Sequence, residues 1–211
     1  MLFRSVKADA LFSPDLPNCD VVLSPYAYDT GLANRLLDEA GWTEKGSDGI
    51  RVKDGQPLVL RIIYQSSRPS DEQILMAFKG QMSELGIGVE IQGFETMAWF
   101  ERGMEGAFDV SVNDTYDFPQ DPHVFLTAML DDGLDKSAQQ NLAELPELTQ
   151  HIQSMMSTVD AATLEDDYEY VLTTLHDEAL YVSLSYVREL VVFDSSKIEG
   201  NYQIGRASCR E

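Results

Sequence analysis

The sequence has few of the residues that staple small domains or bind zinc. It contains two cysteines, Cys19 and Cys209, among 211 residues. Two cysteines exclude a framework of several disulfides and a cysteine zinc site. No apolar run reaches the roughly 18 residues of a membrane-spanning helix, and no charged-then-apolar signal segment opens the chain. The residues therefore leave the compartment open at this point.

Basic residues are also scarce. Fifteen Lys and Arg stand against 36 Asp and Glu, which gives a net charge of −21. Because such a surface repels phosphate backbones and anionic lipid, nucleic acid and direct membrane binding are not expected. Cationic partners stay open, although the simplest role of the excess acid is solubility. Adjacent acids such as Asp166 and Asp167 are expected to be solvated.

Motifs of nucleophilic and phosphate-binding chemistry are absent as well. The sequence has no GxSxG elbow, no P-loop and no GxGxxG. None of the three histidines has a second histidine three or four residues away, and a structural role is favoured for His151 and His176 on predicted helices. His123 follows Asp121 and Pro122, which form a helix start, so a ligand role for it is the less favoured alternative.

What the sequence does contain is an alternation of helical and strand-like periodicity, which predicts an α/β fold with a mixed β-sheet flanked by helices. An extended arm is predicted over 1–28, the α/β domain over 29–193, and a frayed or vector-derived terminal segment over 194–211. In chain order the pattern first predicts a helix capped by Thr30, a strand over 58–64 and a helix that begins with a Ser70–Gln73 capping box. It then predicts a strand over 87–95, a helix over 96–106 and a strand over 107–116. Two helices follow between 145 and 179, and a run over 180–193 is predicted to return to the sheet.

Four long segments together resemble one family. They are YAYDTGLANRLLDEAGW, DGIRVKDGQPLVLRIIYQSS, QMSELGIGVEIQGFE and AFDVSVNDTYDFPQDPHVFLTAM. Their order and spacing are similar to those of the large extracytoplasmic solute-binding proteins of nickel and peptide ABC importers. Four further segments, ALFSPDLPNCD, DPHVFLTAM, AQQNL and LTTLHDEALYVSLSY, resemble the nickel-binding receptors within that family.

The resemblance implies one lobe, mostly the C-terminal one, of a two-lobed periplasmic-binding-protein-like fold that closes over its ligand. It implies a non-enzymatic receptor without an intrinsic cofactor that carries nickel, as a chelate, to an ABC permease. An oligopeptide receptor of the same architecture is the alternative cargo class. The expected partners are the N-terminal lobe and the permease, and the expected location is periplasmic or extracytoplasmic, either free or lipid-anchored.

The resemblance also implies ligand-binding residues. Tyr116, Gln120 and Phe100 match aromatic cleft positions of the nickel receptors, and Asp117 is a weaker candidate. For Tyr116 and Phe100, packing in the core of the lobe is an equally open interpretation.

Departures from the nickel receptors are present too. Met104 replaces a cleft arginine, and the loop LDDGLDKSA over 130–138 lacks the metal-ligating histidine of those receptors. The acids of this loop, Asp131, Asp132 and Asp135, offer oxygen ligands but are more simply solvated. These departures favour a less anionic nickel complex, another chelate or a short peptide. A metal-dependent hydrolase that uses His123, Asp121 and Asp117 is the alternative from another class.

Overall fold

The structure is a computed structural model that describes residues 6–115, 122–130, 144–186, 194 and 196–197. Its residues group into two compact units. Unit 1 combines residues 1–25, 115–130 and 141–211, and unit 2 combines residues 26–114 and 131–140. The predicted domain over 29–193 contributes to both units, and its boundaries stay a prediction.

Unit 2 is built on a parallel three-stranded sheet. The central strand β5 (Val59–Gln65) pairs with β6 (Gly88–Phe94) on one side and with β7 (Val110–Ser111) on the other. Helix α2 (Pro69–Glu84) connects β5 to β6, and α3 (Thr96–Glu105) connects β6 to β7. The core beside this sheet is formed by Ile62, Tyr64, Leu75 and Val89. Parallel strands joined through helices confirm the α/β prediction.

Unit 2 also contains helix α1 (Thr30–Glu39) and a separate antiparallel sheet of β2 (Glu44–Lys45), β3 (Arg51–Lys53) and β4 (Gln56–Pro57). Asp54 and Gly55 join β3 to β4, with φ angles of 51° and 76°. Two positive φ angles in a two-residue connection match the twist of a tight hairpin, and Asp-Gly is a preferred pair there. Parallel and antiparallel strands therefore lie in different sheets.

A buried arginine joins the parts of unit 2. Arg51 on β3 is 4% exposed. Its Nε donates to the carbonyl of Leu85 at the end of α2 (2.8 Å), and its Nη2 donates to Asn34 Oδ1 on α1 (2.6 Å). Its Nη1 donates to Asp38 Oδ1 (2.6 Å) and to the carbonyl of Trp42. One guanidinium thus satisfies acceptors on two helices and a turn.

Unit 1 contains α4 (Pro122–Ala128), α5 (Pro146–Ser157) and α6 (Ala161–Asp177), together with the antiparallel pair β1 (Val6–Lys7) and β8 (Ser185–Tyr186). The two helices predicted between 145 and 179 are confirmed. Its most buried apolar side chains are those of Phe12, Cys19, Phe125, Leu126, Met129, Leu148, Ile152, Met155, Tyr168, Val171, Leu172 and Leu175.

The prediction that the run over 180–193 returns to the sheet of the α/β core is wrong for its described part. Ser185–Tyr186 pairs with β1 instead. The Tyr186 hydroxyl donates to the carbonyl of Phe12 (2.9 Å) and accepts from the backbone N–H of Ala10 (3.2 Å). These bonds give β8 a partner that strand periodicity alone cannot specify.

Two helix starts also differ from the prediction. Asp29, rather than Thr30, caps α1, and its Oδ1 accepts from the N–H of Leu32 (2.8 Å). Helix α2 begins at Pro69, so Ser70 lies inside the first turn and forms no capping box. Proline is favoured at the first helical position because it lacks the N–H that is unsatisfied there anyway.

Candidate ligand-binding site

One edge of the parallel sheet has the topology of a binding site. The chain leaves β5 for β6 on one side and then crosses to β7 on the other side. In open α/β sheets, ligands bind outside the carboxyl ends of the strands where the strand order reverses in this way. We call residues 66–68 and 112–114, which follow β5 and β7, the switch edge.

Two bidentate Arg–Asp pairs fasten the short strand β7 to β5. At the start of β7, Arg61 Nε and Nη2 each donate to a carboxylate oxygen of Asp109, both at 2.9 Å. Across the switch edge, Arg68 Nη2 donates to Asp114 Oδ2 (2.6 Å) and its Nη1 donates to Oδ1. Hydrogen bonds from Arg61 hold the pKa of the Asp109 carboxyl below its usual value. The second pair fixes the two loops of the switch edge to each other.

Tyr64 packs in the core next to this edge. It is buried near the carboxyl end of β5, and a Cβ added to Gly93 of β6 would lie 2.8 Å from its ring. Glycine at 93 therefore permits the close approach of the tyrosine ring. Burial, followed by the charge of Glu72 on α2, raises the pKa of the Tyr64 hydroxyl. The hydroxyl therefore stays neutral at physiological pH.

Helix α3 presents an apolar surface next to the carboxyl end of β6. A single residue, Glu95, separates β6 from α3, and its Oε2 accepts from the N–H of Met97 (3.0 Å). Met97, Phe100 and Met104 are 62%, 37% and 41% exposed. Their spacing of three and four residues aligns them along one side of the helix. We call these three residues the α3 face; Phe100 is exposed on it rather than packed in the core.

The remaining predicted ligand-binding residues, Tyr116, Gln120 and Asp117, lie outside the described residues, as do Asp131, Asp132 and Asp135 of the acidic loop. The described chain leads from β7 through residues 112–115 directly to this segment. Their roles stay predictions.

The histidines of unit 1 have structural hydrogen bonds. His123 Nδ1 lies 2.9 Å from the Tyr168 hydroxyl, and its Nε2 lies 3.3 Å from the carbonyl of Met155. The tautomer that satisfies both has the proton on Nε2, which donates to the carbonyl while Nδ1 accepts from the hydroxyl. His176 Nε2 donates to the carbonyl of Ser24 (2.7 Å). Both histidines connect segments of unit 1.

The hydrolase alternative gains nothing from these contacts. Both ring nitrogens of His123 are engaged within unit 1, and its proposed companions Asp121 and Asp117 lie outside the described residues. Within the described part of the chain, no three His, Cys, Asp or Glu side chains are grouped to hold a metal ion.

The expectation that Asp167 is solvated is wrong. Its side chain is 6% exposed, and Oδ1 lies 2.6 Å from His151 Nδ1 on α5. The ring of Tyr170 stacks on His151 at a centroid distance of 4.0 Å, and its hydroxyl donates to Glu147 (3.2 Å). A signal was present, because Asp167 lies on the apolar side of α6, four residues before the buried Val171. Asp167 therefore links α5 to α6.

Comparisons with known proteins give consistent matches. Residues 4–137 match the family model of the bacterial extracellular solute-binding proteins, family 5, middle region. The nickel-binding periplasmic protein of Escherichia coli is 34% identical over 186 residues, which are 88% of this chain and 36% of that protein. The oligopeptide-binding protein AppA of Bacillus subtilis is 25% identical over 171 residues, 79% of this chain and 31% of that protein.

A solved structure shows the same fold. The crystal structure of NikA from Brucella suis in complex with Fe(III)-EDTA is 35% identical, with a TM-score of 0.80 over 87% of this chain and 37% of that chain. This chain thus spans about a third of the length of these relatives. No helix in the described ranges is long and apolar enough to cross a membrane.

Proposed function

The chain belongs to family 5 of the bacterial extracellular solute-binding proteins, and on that premise we propose that it forms part of the substrate-binding component of an ABC importer. In this role it is a receptor and not an enzyme. Its partners are the rest of a two-lobed binding protein, including an N-terminal lobe, and a membrane permease that accepts the cargo after the lobes close. Its place is outside the cytoplasm, either free or lipid-anchored.

The cargo that we propose is nickel held as a chelate. The observation that carries this proposal is the 34% identity to a nickel-binding periplasmic protein over 88% of the chain. Among the residues that the structure describes there is no group of three metal-binding side chains. A metal that arrives with its own ligands needs few direct bonds from the protein, whereas bare Ni²⁺ generally needs imidazole or several other donors. A chelate therefore fits the described residues better than the bare ion.

We place the cargo at the carboxyl edge of the parallel sheet. Phe100 of the α3 face supplies one apolar wall. Tyr116, Gln120 and Asp117 supply the other contacts from the segment that follows β7. The topology supports this placement, because binding sites in open α/β sheets form outside the carboxyl ends of the strands, and the Arg68–Asp114 pair holds the loops there.

Native mass spectrometry tests the cargo. The protein is titrated with Ni²⁺ alone and with Ni²⁺ plus histidine, and the expected result is added mass only when the chelator is present. Phe100→Ala reduces the occupancy, whereas Met156→Ala, at an exposed methionine of unit 1, leaves it unchanged. If Ni²⁺ alone gave the same occupancy as Ni²⁺ with histidine, the proposal of a chelate would be contradicted. If no nickel bound under either condition, the proposal of a nickel cargo would be contradicted.

A peptide cargo is the second candidate, favoured by the 25% identity to an oligopeptide-binding protein over 171 residues. Extended peptides are bound through main-chain hydrogen bonds rather than metal contacts. The same spectra distinguish the two candidates, because a co-purified peptide adds a mass that does not depend on nickel.

A further inference from the structure

The α3 face contains one acidic side chain. Glu101 follows Phe100, four residues after Met97 and three before Met104, so it lies on the same side of α3. Glu101 is exposed, and it forms no hydrogen bond or ion pair with any residue that the structure describes. This carboxylate lies between exposed apolar side chains. A molecule bound at the α3 face would therefore contact a negative charge.

The other charged groups around the α3 face are engaged. Arg102 on α3 pairs with Glu105 (3.2 Å), and Arg68 at the switch edge pairs with Asp114. Glu95 caps the first turn of α3. The cations of these elements are therefore neutralised locally, and the net charge presented beside the apolar residues is negative.

We propose that the α3 face and Glu101 select cargo that carries positive charge next to an apolar surface, in preference to an anionic chelate. This inference rests on the proposed function, because it assumes that cargo contacts α3. The thioethers of Met97 and Met104 are flexible and polarizable, so they adapt to irregular apolar shapes. The ring of Phe100 attracts cations through its face. Glu101 adds Coulomb attraction for a cation and repulsion for an anion.

Methionine methyl NMR on the full 211-residue chain tests this inference. The protein is labelled with ¹³C at the methionine methyl groups and titrated with two paramagnetic nickel complexes, the dicationic triethylenetetramine complex and the dianionic EDTA complex. Paramagnetic broadening reports which methyl groups the metal approaches. Met97 and Met104 report on the α3 face, while Met76 and Met156, both exposed elsewhere, are internal controls.

The expected result is selective broadening of Met97 and Met104 by the dicationic complex at concentrations where the dianionic complex has no effect. Glu101→Gln weakens this binding by about fivefold, the upper end of what an exposed charge pair contributes. Glu105→Gln removes the same charge from the same helix at a residue paired with Arg102, and it leaves the binding within about twofold of wild type.

Several outcomes would overturn the inference. They are equal effects of the two complexes, equal broadening at Met76 and Met156 through general attraction to an acidic protein, and equal losses in Glu101→Gln and Glu105→Gln. Broadening at Met97 and Met104 that depends on protein concentration without nickel would show a second copy of the chain on this face. If native mass spectrometry detects bound cargo but the dicationic and dianionic complexes broaden the methyl signals equally, only this inference fails. If neither a nickel complex nor a peptide binds in any assay, the proposed function fails as well.

Discussion

Replacing Arg51 by alanine is the substitution that we expect to destabilise unit 2 most. Arg51 is 4% exposed, and its guanidinium donates to Leu85, Asn34, Asp38 and Trp42. Alanine removes every one of these bonds and leaves a space between the ends of α1 and α2. The carbonyl of the buried Leu85 then loses this donor, whereas the exposed carboxylate of Asp38 regains water.

The magnitude follows from how exposed the acceptors are. Asp38 is 55% exposed, so it regains water and its pair contributes about 1 kcal/mol or less. Hydrogen bonds from a charged donor contribute about 1.5–3 kcal/mol each, and the bonds of one guanidinium are not additive. The bonds to the carbonyl of Leu85 and to Asn34 would together contribute about 3–6 kcal/mol if they were additive. We therefore expect a loss of about 4 kcal/mol in the free energy of unfolding.

Tryptophan fluorescence during urea denaturation measures the unfolding of unit 2 specifically. Trp42 and Trp99 are the only tryptophans of the chain, and both belong to unit 2. At a typical urea dependence of about 2 kcal/mol per molar, the midpoint falls by about 2 M. Arg102→Ala is the control: it removes an exposed arginine that pairs with Glu105, and it shifts the midpoint by less than about 0.5 M.

A loss below about 1 kcal/mol in Arg51→Ala would refute this reasoning, since it would show that the acceptors find water in the mutant. If Arg51→Ala does not fold at all, Arg51→Lys serves instead. Lysine keeps the charge but loses the planar fork, so we expect an intermediate loss; wild-type stability in Arg51→Lys would contradict the role of the fork.

Three further predictions are also measured by urea denaturation. Gly93→Ala places a Cβ 2.8 Å from the tyrosine ring of β5 and costs about 1–3 kcal/mol. Gly80→Ala, inside α2, adds a Cβ that meets no side chain or other segment within 4 Å beyond the adjacent residues, and it stabilises by about 0.5–1 kcal/mol. Asp167→Ala removes the buried partner of the α5 histidine and costs about 1–3 kcal/mol, measured by helical circular dichroism, while Asp166→Ala on the exposed side of α6 costs less than about 0.5 kcal/mol. Asp109→Asn costs about 1 kcal/mol or less near neutral pH because the carboxylate is partly exposed. The pKa of the Asp109 carboxyl is lowered in the folded protein. Its contribution to stability is therefore complete above the unfolded pKa of about 4 and disappears as the pH falls through the lower folded pKa. The stabilities of wild type and Asp109→Asn thus converge in acid.

Each of these predictions has a result that contradicts it. Equal stabilities of the two glycine variants would mean that the tyrosine ring moves aside without cost. An Asp167→Ala protein as stable as Asp166→Ala would show that the link between α5 and α6 contributes nothing. A stability difference for Asp109→Asn that persists unchanged at pH 2 would show that the charge of the carboxylate is not what stabilises β7.

The alternation of elements could be predicted because apolar periodicity is a local property. Helix α3 and its end are a clear case: the predicted helix over 96–106 is observed over Thr96–Glu105, and Gly106 follows with a φ of 65°. Glycine adopts this left-handed conformation without strain, so Gly106 alone is enough to predict the end of the helix. The pairing of β8 with β1 was not readable, because which strands pair depends on contacts between distant segments.

The candidate site was predictable only through residue types and the resemblance. The exposure of Phe100 could not be derived from the spacing of α3, because an apolar stripe on a helix more often faces a core than solvent. Asp167 is the opposite case: its position beside Asp166 predicts solvation, but its carboxylate is buried and has a histidine partner on another helix. In both cases the deciding quantity was burial, which depends on the packing of the whole unit.

The pairing of β1 with β8 determines the order in which the two units can be completed during synthesis. All strands of unit 2's parallel sheet have left the ribosome soon after Ser111 is made, since chains grow at about 5–20 residues per second and fold in sections as they emerge. Val6, by contrast, must wait for Tyr186, which is made near the end of the described chain. Among the described strands, we expect β1, which is synthesised before the others, to be the last to find its partner, and a nascent chain arrested before residue 185 to hold residues 6–7 open to proteases.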